Sequence, residues 1–458
     1  MKLFTFSNKF FLLLLLTSEF ICAQLSDTLR FPPGLIIPNY NRAPVGQIEA
    51  SEGGAFVART TGPIANWYNP AGLAIAESVL SSAGSSGYDI IKLKLDGFKS
   101  APHSLTSNGI PGFIGLVTKA PFFSTKKAHL GLSVGQQSSW QPVFDSDTKV
   151  NVAGTNDQLS ISYKLKFSSA APALSLGVIS NSRFRWGVGI QFPFTTLNIY
   201  ESIGEQILSG TSITSDLLNF RVNGLVANFI GVGGAQYSLS DYVILGGLVK
   251  SPGIRIWNNA QISYESTQSS TDSTKSIAFH DNNAKFHYNL PLQLSFGIAY
   301  KSNSFQIEAD LTYFNGAKPY TVLMSDLPVT RYETRFEAPF TTQILNFPDL
   351  SYDRNQVLNA ALGGHIKISD LFRVHGGIFS DLSPVNSSNS RIFRKINLFG
   401  TTVGLSLTSE NVGGGIGFKY SFGRSKPFTI GQSSISDQVT THLDVSTFTI
   451  IWALTLGV

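Results

Sequence analysis

Two places in this sequence hold side chains in an order that could support chemistry. Gly131-Leu132-Ser133-Val134-Gly135 has the Gly-x-Ser-x-Gly spacing of esterases, in which the serine needs a sharp strand-to-helix turn. Glu308, Asp310, Arg373 and His375 supply two carboxylates, a guanidinium and an imidazole, groups from which acid–base catalysis or a cation site is made. Context removes both. The serine lies inside an alternating run, Ala128 to Trp140, that continues into Gln136-Gln137 and offers no helix for an elbow. Glu308 and Asp310 alternate with Phe305, Ile307, Ala309, Leu311 and Tyr313, so they share the polar face of a strand. Charges on such a face are expected to line an interior and pair across it. No spacing of His, Asp and Glu suggests a metal site. We expect no catalytic residue, no metal and no cofactor: not an enzyme. An inward Lys or Arg holding the carboxylate of an apolar ligand suits this pattern better.

The elements that carry these residues are strands. From about Ser78 onward, segments of ten or so residues alternate apolar with small or polar side chains, separated by polar turns, the signature of transmembrane β-strands. Leu159, Ile161, Tyr163, Leu165 and Phe167 alternate with Ser160, Ser162, Lys164 and Lys166. Leu292, Leu294, Phe296, Ile298 and Tyr300 alternate with Gln293, Ser295, Gly297, Ala299 and Lys301. The apolar set of each strand is expected to meet lipid. Only 14% of the 458 residues are charged, against about 25% in soluble domains. A sheet in lipid has to close on itself, since an open edge leaves backbone groups unpaired. The excess of basic residues, +5 overall, is scattered and forms no stripe, so no nucleic-acid partner is expected.

The first residues read as a leader. Lys2 and Lys9 precede the apolar run Phe10 to Leu16, and Ile21-Cys22-Ala23 precedes Gln24, which places a signal peptide at 1–23. Its removal takes away the single cysteine, Cys22, and with it any disulfide or thiolate site. Residues 24–77 follow neither a helical nor a strand period. Within them stand Gly53-Gly54-Ala55 and Asn69-Pro70-Ala71-Gly72-Leu73-Ala74, where Asn-Pro sets a turn. An apolar segment without its own period has to pack inside something else.

This ordered set resembles the FadL/TodX family of outer-membrane transporters for long-chain fatty acids and other hydrophobic compounds. Further matches are Val243-Ile244-Leu245-Gly246-Gly247-Leu248-Val249-Lys250-Ser251-Pro252, Asn289-Leu290-Pro291 opening a strand, and Phe372 to Phe379 followed by Asp381-Leu382-Ser383-Pro384. Two features depart from the family: Thr60-Thr61-Gly62-Pro63-Ile64 stands where an acidic residue is usual, and the last residue is Val458 rather than an aromatic. The resemblance implies an all-β fold, a closed antiparallel transmembrane barrel of fourteen strands over 78–458, plugged by an N-terminal hatch at 24–77. It implies a monomer in the outer membrane of a Gram-negative bacterium, surrounded by outer-membrane lipid, passing a fatty acid or hydrocarbon by passive diffusion. Asn69, Pro70, Ala71 and Gly72 would then belong to the moving hatch, with a plain structural turn as the alternative. Gly131 and Gly135 would mark a kink in the third strand through which ligand leaves sideways, since glycine weakens a strand.

The connections complete the reading. Tyr264 to Ser276 is rich in Ser and Thr and is expected to be a solvated loop. Two other connections are apolar: Ile203 to Leu218, with Ile203, Ile207, Leu208 and Leu217, and Asn315 to Asp349, with Phe336 and Phe340. Loops this apolar are unusual if they merely face water; the resemblance implies that they form a greasy outer groove that collects ligand, with loops that pack on one another as the alternative. A second reading makes them docking surfaces of a barrel that serves as a partner in protein secretion.

Overall fold

The computed structural model describes residues 38–40, 45–46, 48–76, 80–95, 103–107, 112–120, 128–152, 155–209, 212–336, 338–347, 350–386, 394–409, 412–430 and 439–457. The expected leader, 1–23, and the first part of the expected hatch lie outside these residues.

Period-two patterning produces one antiparallel sheet that closes on itself. β1 (Leu80–Leu95) pairs on one side with β2 (His103–Ser107) and β3 (Phe113–Lys119). β3 pairs with β4 (Ala128–Trp140), and both β4 and β5 (Val143–Val152) pair with β6 (Thr155–Ile179). β6 then pairs with β7 (Phe184–Gln191) and β8 (Phe194–Ser209), which both pair with β9 (Ser212–Ser238). β9 pairs with β10 (Val243–Lys250) and β11 (Ile254–Ser269). β11 pairs with β12 (Ser273–Phe286), and β10 with β13 (Gln293–Lys301). β14 (Phe305–Phe314) follows β13 in the sheet.

The connection after β14 forms β15 (Ala317–Thr321), β16 (Leu323–Met324), β17 (Pro328–Arg335), β18 (Thr341–Asn346) and β19 (Ser351–Arg354). The wall resumes at β20 (Val357–Lys367), paired with β14, and runs through β21 (Phe372–Asp381), β22 (Leu398–Thr408) and β23 (Val412–Arg424). After the small hairpin of β24 (Phe428–Ile430) and β25 (Val439–Thr441), β26 (Leu443–Gly457) pairs with both β23 and β1 and closes the ring.

Prolines explain where long strands are interrupted. Pro142, Pro193, Pro252 and Pro291 stand in the gaps between β4 and β5, β7 and β8, β10 and β11, and β12 and β13. Proline cannot donate to a ladder, so the strand breaks locally while its neighbour runs straight past.

The wall differs in two respects from the expectation. First, the Ser/Thr-rich stretch is no loop. β11 continues to Ser269 and β12 begins at Ser273, and Thr267 pairs with Ser276, so period two persists through the polar residues. Tyr264 is buried. Ile203 to Leu218 likewise lies in the paired ends of β8 and β9, with Ile203 opposite Leu218 and Leu208 opposite Ile213.

Second, the apolar set does not meet lipid everywhere. In β6 the odd-numbered residues point inward along the described length, from Tyr163, Leu165 and Phe167 to Ser169, Ala171, Ala173 and Ser175. Outward stand Lys164 and Lys166, and later Leu174. Parity is constant while the chemistry of the two faces exchanges. Where the outer face is apolar, here at Leu174 and elsewhere at Leu132, Phe296, Ile298 and Leu311, the barrel meets lipid. Where Lys164 and Lys166 face out, the surroundings are aqueous and the interior is filled. There Trp140, Phe167, Phe220, Ile262, Tyr264 and Phe286 belong to one apolar cluster, joined by Val322, Leu323 and Leu350 from the connection after β14.

Candidate functional site

The N-terminal segment occupies the inside of the ring. Its local structure is short: a helical turn at Ile48–Ser51, a reversal at Gly53 and Gly54 with φ of 68° and 80°, a second turn at Ala65–Tyr68, and a 3₁₀ turn at Pro70–Ile75. Left-handed φ values suit glycine, which has no Cβ to clash. Asn69 caps the 3₁₀ turn by accepting from the Ala71 amide at 3.1 Å, with Pro70 in the position where its missing N–H is no loss. The two hydrogens of the Asn69 amide nitrogen are shared among three carbonyls within reach: Val57 at 2.8 Å within the segment, and Ala235 and Gly247 of the wall at 3.0 and 3.2 Å. The Asn-Pro pair is thus cap and wall anchor together. Asn69→Ala is expected to lower the stability of the seated segment by about 1–3 kcal/mol, because the buried carbonyls lose their donor. Faster proteolysis of this segment, with an unchanged barrel melting temperature, would show it.

Glycines on the wall make room for these contacts. A Cβ on Gly131 would stand 2.7 Å from Leu73, and one on Gly135 would stand 2.7 Å from Trp67. Those two glycines are seats for the segment. β4 is paired on both sides around them, and its one irregularity falls between Gln136 and Ser138.

A charged cluster locks the segment on its other side. Glu308 and Asp310 point inward from β14 and receive backbone donors: Ala58 N–H to Glu308 at 2.5 Å, Phe56 and Val57 N–H to Asp310 at 2.7 and 3.1 Å. Arg59 donates through Nε to Glu308 at 3.0 Å and through Nη2 to Glu52. Glu52 Oε1 in turn meets Nδ1 of His365 at 2.8 Å and Nδ1 of His375 at 2.6 Å. Burial alone would raise the Glu52 carboxyl. The hydrogen bonds from His365 and His375, with the charge of Arg59, outweigh burial and hold it at about 2. His365 and His375 are directly opposed across β20 and β21, with Gly363 opposite Gly377 beside them. A Cβ on either glycine would drive into the Glu52 backbone, 1.8 and 2.4 Å away, so Glu52 reaches the wall only because these positions are bare.

A third feature sits where the segment meets the apolar half. Arg354 is 3% exposed, and none of its three guanidinium nitrogens has a hydrogen-bond partner among the described residues. Its charge lies 5.5–5.9 Å from the ring centres of Tyr40, Tyr288, Tyr320 and Tyr352. The Tyr40 hydroxyl and the Asn359 amide nitrogen are buried and unpartnered as well. Burial pushes the Tyr40 phenol up to about 12, so it remains a donor at neutral pH. Tyr40 and Asn359 also line a cavity of about 130 Å³, with Trp67, Tyr68, Lys250 and Lys419 among its walls. The Arg354 guanidinium and the Tyr40 ring therefore stand together, and among the described residues no acceptor makes a hydrogen bond to that guanidinium. A buried cation in that state is costly unless an anion joins it.

Pro70, Ala71 and Gly72 are buried with Asn69 against the wall. Leu217 is exposed while Leu218 is buried, and Ile203 packs at the edge of the apolar cluster. The backbones of Ile207 and Leu208 lie in the β8–β9 hairpin. Phe336 and Phe340 are exposed, the latter stacked on Tyr332 at 5.8 Å. Glu308, Asp310 and His375 do line the interior, as the alternation requires. Glu52, Arg59, His365 and Arg354 were not singled out, because their partners lie far away in the chain, 313 positions for Glu52 and His365.

No family model and no curated protein matches the chain by sequence. Solved structures do. The Pseudomonas putida toluene transporter TodX matches with a TM-score of 0.58 at 13% identity, over 92% of this chain and 99% of that one. A Pseudomonas aeruginosa FadL homologue matches with a TM-score of 0.56 at 14% identity, over 92% and 99%. The CymD monoaromatic hydrocarbon channel matches with a TM-score of 0.53 at 13% identity, also over 92% and 99%. The fold of this chain is therefore that of the FadL and TodX channels, a closed antiparallel transmembrane β-barrel.

Proposed function

We propose that the protein is an outer-membrane channel for uptake of hydrophobic compounds, and that its preferred ligands are long-chain fatty acids or similar apolar molecules with an acidic head. The observation that carries the second part is Arg354. A buried guanidinium that no described residue hydrogen-bonds, beside the Tyr40 phenol, fits a ligand carboxylate. The apolar cluster that contains Tyr288, Leu290, Val322, Leu323 and Tyr352 lies beside it and would have to part to admit an alkyl chain. Burial of each CH₂ is worth about 0.8 kcal/mol. The channels of similar fold, described as carrying toluene or monoaromatic hydrocarbons, support passage of apolar molecules.

In this reading residues 1–23 are a cleaved leader, 24–77 a hatch, and 78–458 a monomeric barrel of fourteen staves. Strands broken at a proline count as one stave. Passage is diffusive and needs the hatch to shift. Lateral exit would pass the third stave, where Leu73 and Trp67 would have to leave Gly131 and Gly135. An apolar concavity of about 560 Å³ on the outer face of the same strands, lined by Ile114, Leu116, Leu132, Val134 and Leu174, supports that route. The similarities to transport channels do not favour the reading as a secretion partner.

The test is binding of a fluorescent long-chain fatty acid to the purified mature protein in detergent. Saturable binding displaced by oleate is expected. Failure of fatty acids, toluene and other apolar compounds alike to bind would overturn the channel reading.

A further inference from the structure

We propose that Glu52, His365 and His375 form a site for one divalent transition-metal ion of the zinc class, which staples the N-terminal segment to the barrel wall. Among the described residues, no other set of three His, Cys, Asp or Glu side chains gathers its ligand atoms. The three atoms, Glu52 Oε1 and the two Nδ1 nitrogens, lie within 4.8 Å of one another. Their side chains are nearly closed off from solvent, at 0%, 9% and 1% exposure for Glu52, His365 and His375, and the small opening at His365 gives the ion a way in.

The chemistry of the set is specific. Two imidazole nitrogens and one carboxylate oxygen suit zinc and its neighbours, with a fourth position left for water, whereas magnesium and calcium prefer oxygen alone. Tetrahedral bonds of about 2.0–2.2 Å to each ligand would ask the present contacts of 2.6 and 2.8 Å to open by roughly 0.5–1 Å. Such a change lies within the freedom of a glutamate side chain.

The surroundings are also those of a ligand set. Metal-bound histidines donate their other ring N–H to an oxygen that fixes the tautomer. His375 Nε2 stands 2.7 Å from Ser406 Oγ, in position to donate. An ion held at each Nδ1 would leave the ring N–H on Nε2, which at His375 meets Ser406. Arg59 does not occupy the position, because its guanidinium meets Oε2, the oxygen the imidazoles leave free. The two histidines come from adjacent wall strands and the glutamate from the inner segment, so an ion here joins two parts of the molecule that must separate for the interior to open.

The experiment uses the mature protein in detergent, stripped with a chelator and dialysed, then titrated with ZnCl₂ by calorimetry with the metal content counted by mass spectrometry. One ion per chain with sub-micromolar affinity is expected, not displaced by millimolar magnesium. His365→Ala with His375→Ala should abolish binding, and Ser406→Ala should weaken it about 10- to 100-fold. Co²⁺ absorption of the unaltered protein is the measurement that does not depend on a variant folding: visible d–d bands of a four- or five-coordinate N/O site are expected. Absence of a saturable zinc site and of these bands, or zinc affinity unchanged in the double variant, would overturn the proposal and leave the trio as a hydrogen-bonded lock.

Discussion

Arg59→Ala is expected to unseat the inner segment while leaving the barrel folded. Arg59 is the cation between Glu52 and Glu308, and its side chain is 4% exposed. Removing one partner of a buried ion pair typically costs about 3–5 kcal/mol, because the other charge remains without compensation. Here two carboxylates lose their cation at once. Glu308 and Asp310 also hold the backbone N–H groups of Phe56, Val57 and Ala58, so disturbance of Glu308 reaches the seat of three residues. A reporter can be placed at Thr60, which is fully buried, as Thr60→Cys in a chain whose Cys22 is replaced by serine. Maleimide labelling of that cysteine should accelerate about 100-fold or more when Arg59 is removed, since 1.4 kcal/mol corresponds to a factor of ten. The barrel itself should keep its melting temperature. An unchanged labelling rate would show that the segment is held by apolar packing alone.

Arg354→Met should separate head recognition from tail burial. Methionine keeps much of the side-chain volume and removes the charge. Affinity for oleate is expected to fall about 10- to 100-fold, the worth of a charged hydrogen bond of about 1.5–3 kcal/mol. Affinity for oleyl alcohol, with the same chain and no carboxylate, should change by no more than about threefold. Ligand-free protein should at the same time melt no lower, and even higher, because a buried charge without a counter-ion is replaced by an apolar group. The two effects have opposite sign, which a simple packing defect cannot produce. Equal losses for acid and alcohol would refute a role in recognising the head.

Much of the architecture was legible in the chain. Alternation such as Phe305, Ile307, Ala309, Leu311 and Tyr313 against Gln306, Glu308, Asp310 and Thr312 states which residues share a face, and the structure keeps that division. Period two is a property of single strands, so it needs no knowledge of neighbours. The same locality makes Asn69-Pro70 readable as a turn, since the cap and the proline act within three residues. Ser133 lies within the continuous strand Ala128–Trp140, and that too follows from neighbouring residues.

Which face meets lipid is a different kind of question. Tyr163, Leu165 and Phe167 have the pattern of a lipid-facing set and yet point inward, because that end of β6 stands in water with an apolar filling. Alternation records two faces without naming their solvents. The Ser/Thr-rich stretch from Tyr264 to Ser276 misleads in the converse way: its composition suits a loop, but ladder partners in β9 hold Tyr264 through Ser269 extended.

The charged lock and the arginine box belong wholly to the tertiary structure. Glu52 meets His375 across 323 positions of sequence, and Arg354 finds Tyr40 only once the inner segment has entered the ring. Nothing in a local window encodes such a meeting. The bare glycines at 363 and 377 were visible, but in a chain with 42 glycines their purpose is not. The sequence by itself therefore determined the strands, their faces and the turn at Asn69, because those follow from neighbouring residues. Only closure of the barrel around its own N-terminal segment decided which distant charges meet and which wall residues the inner segment touches.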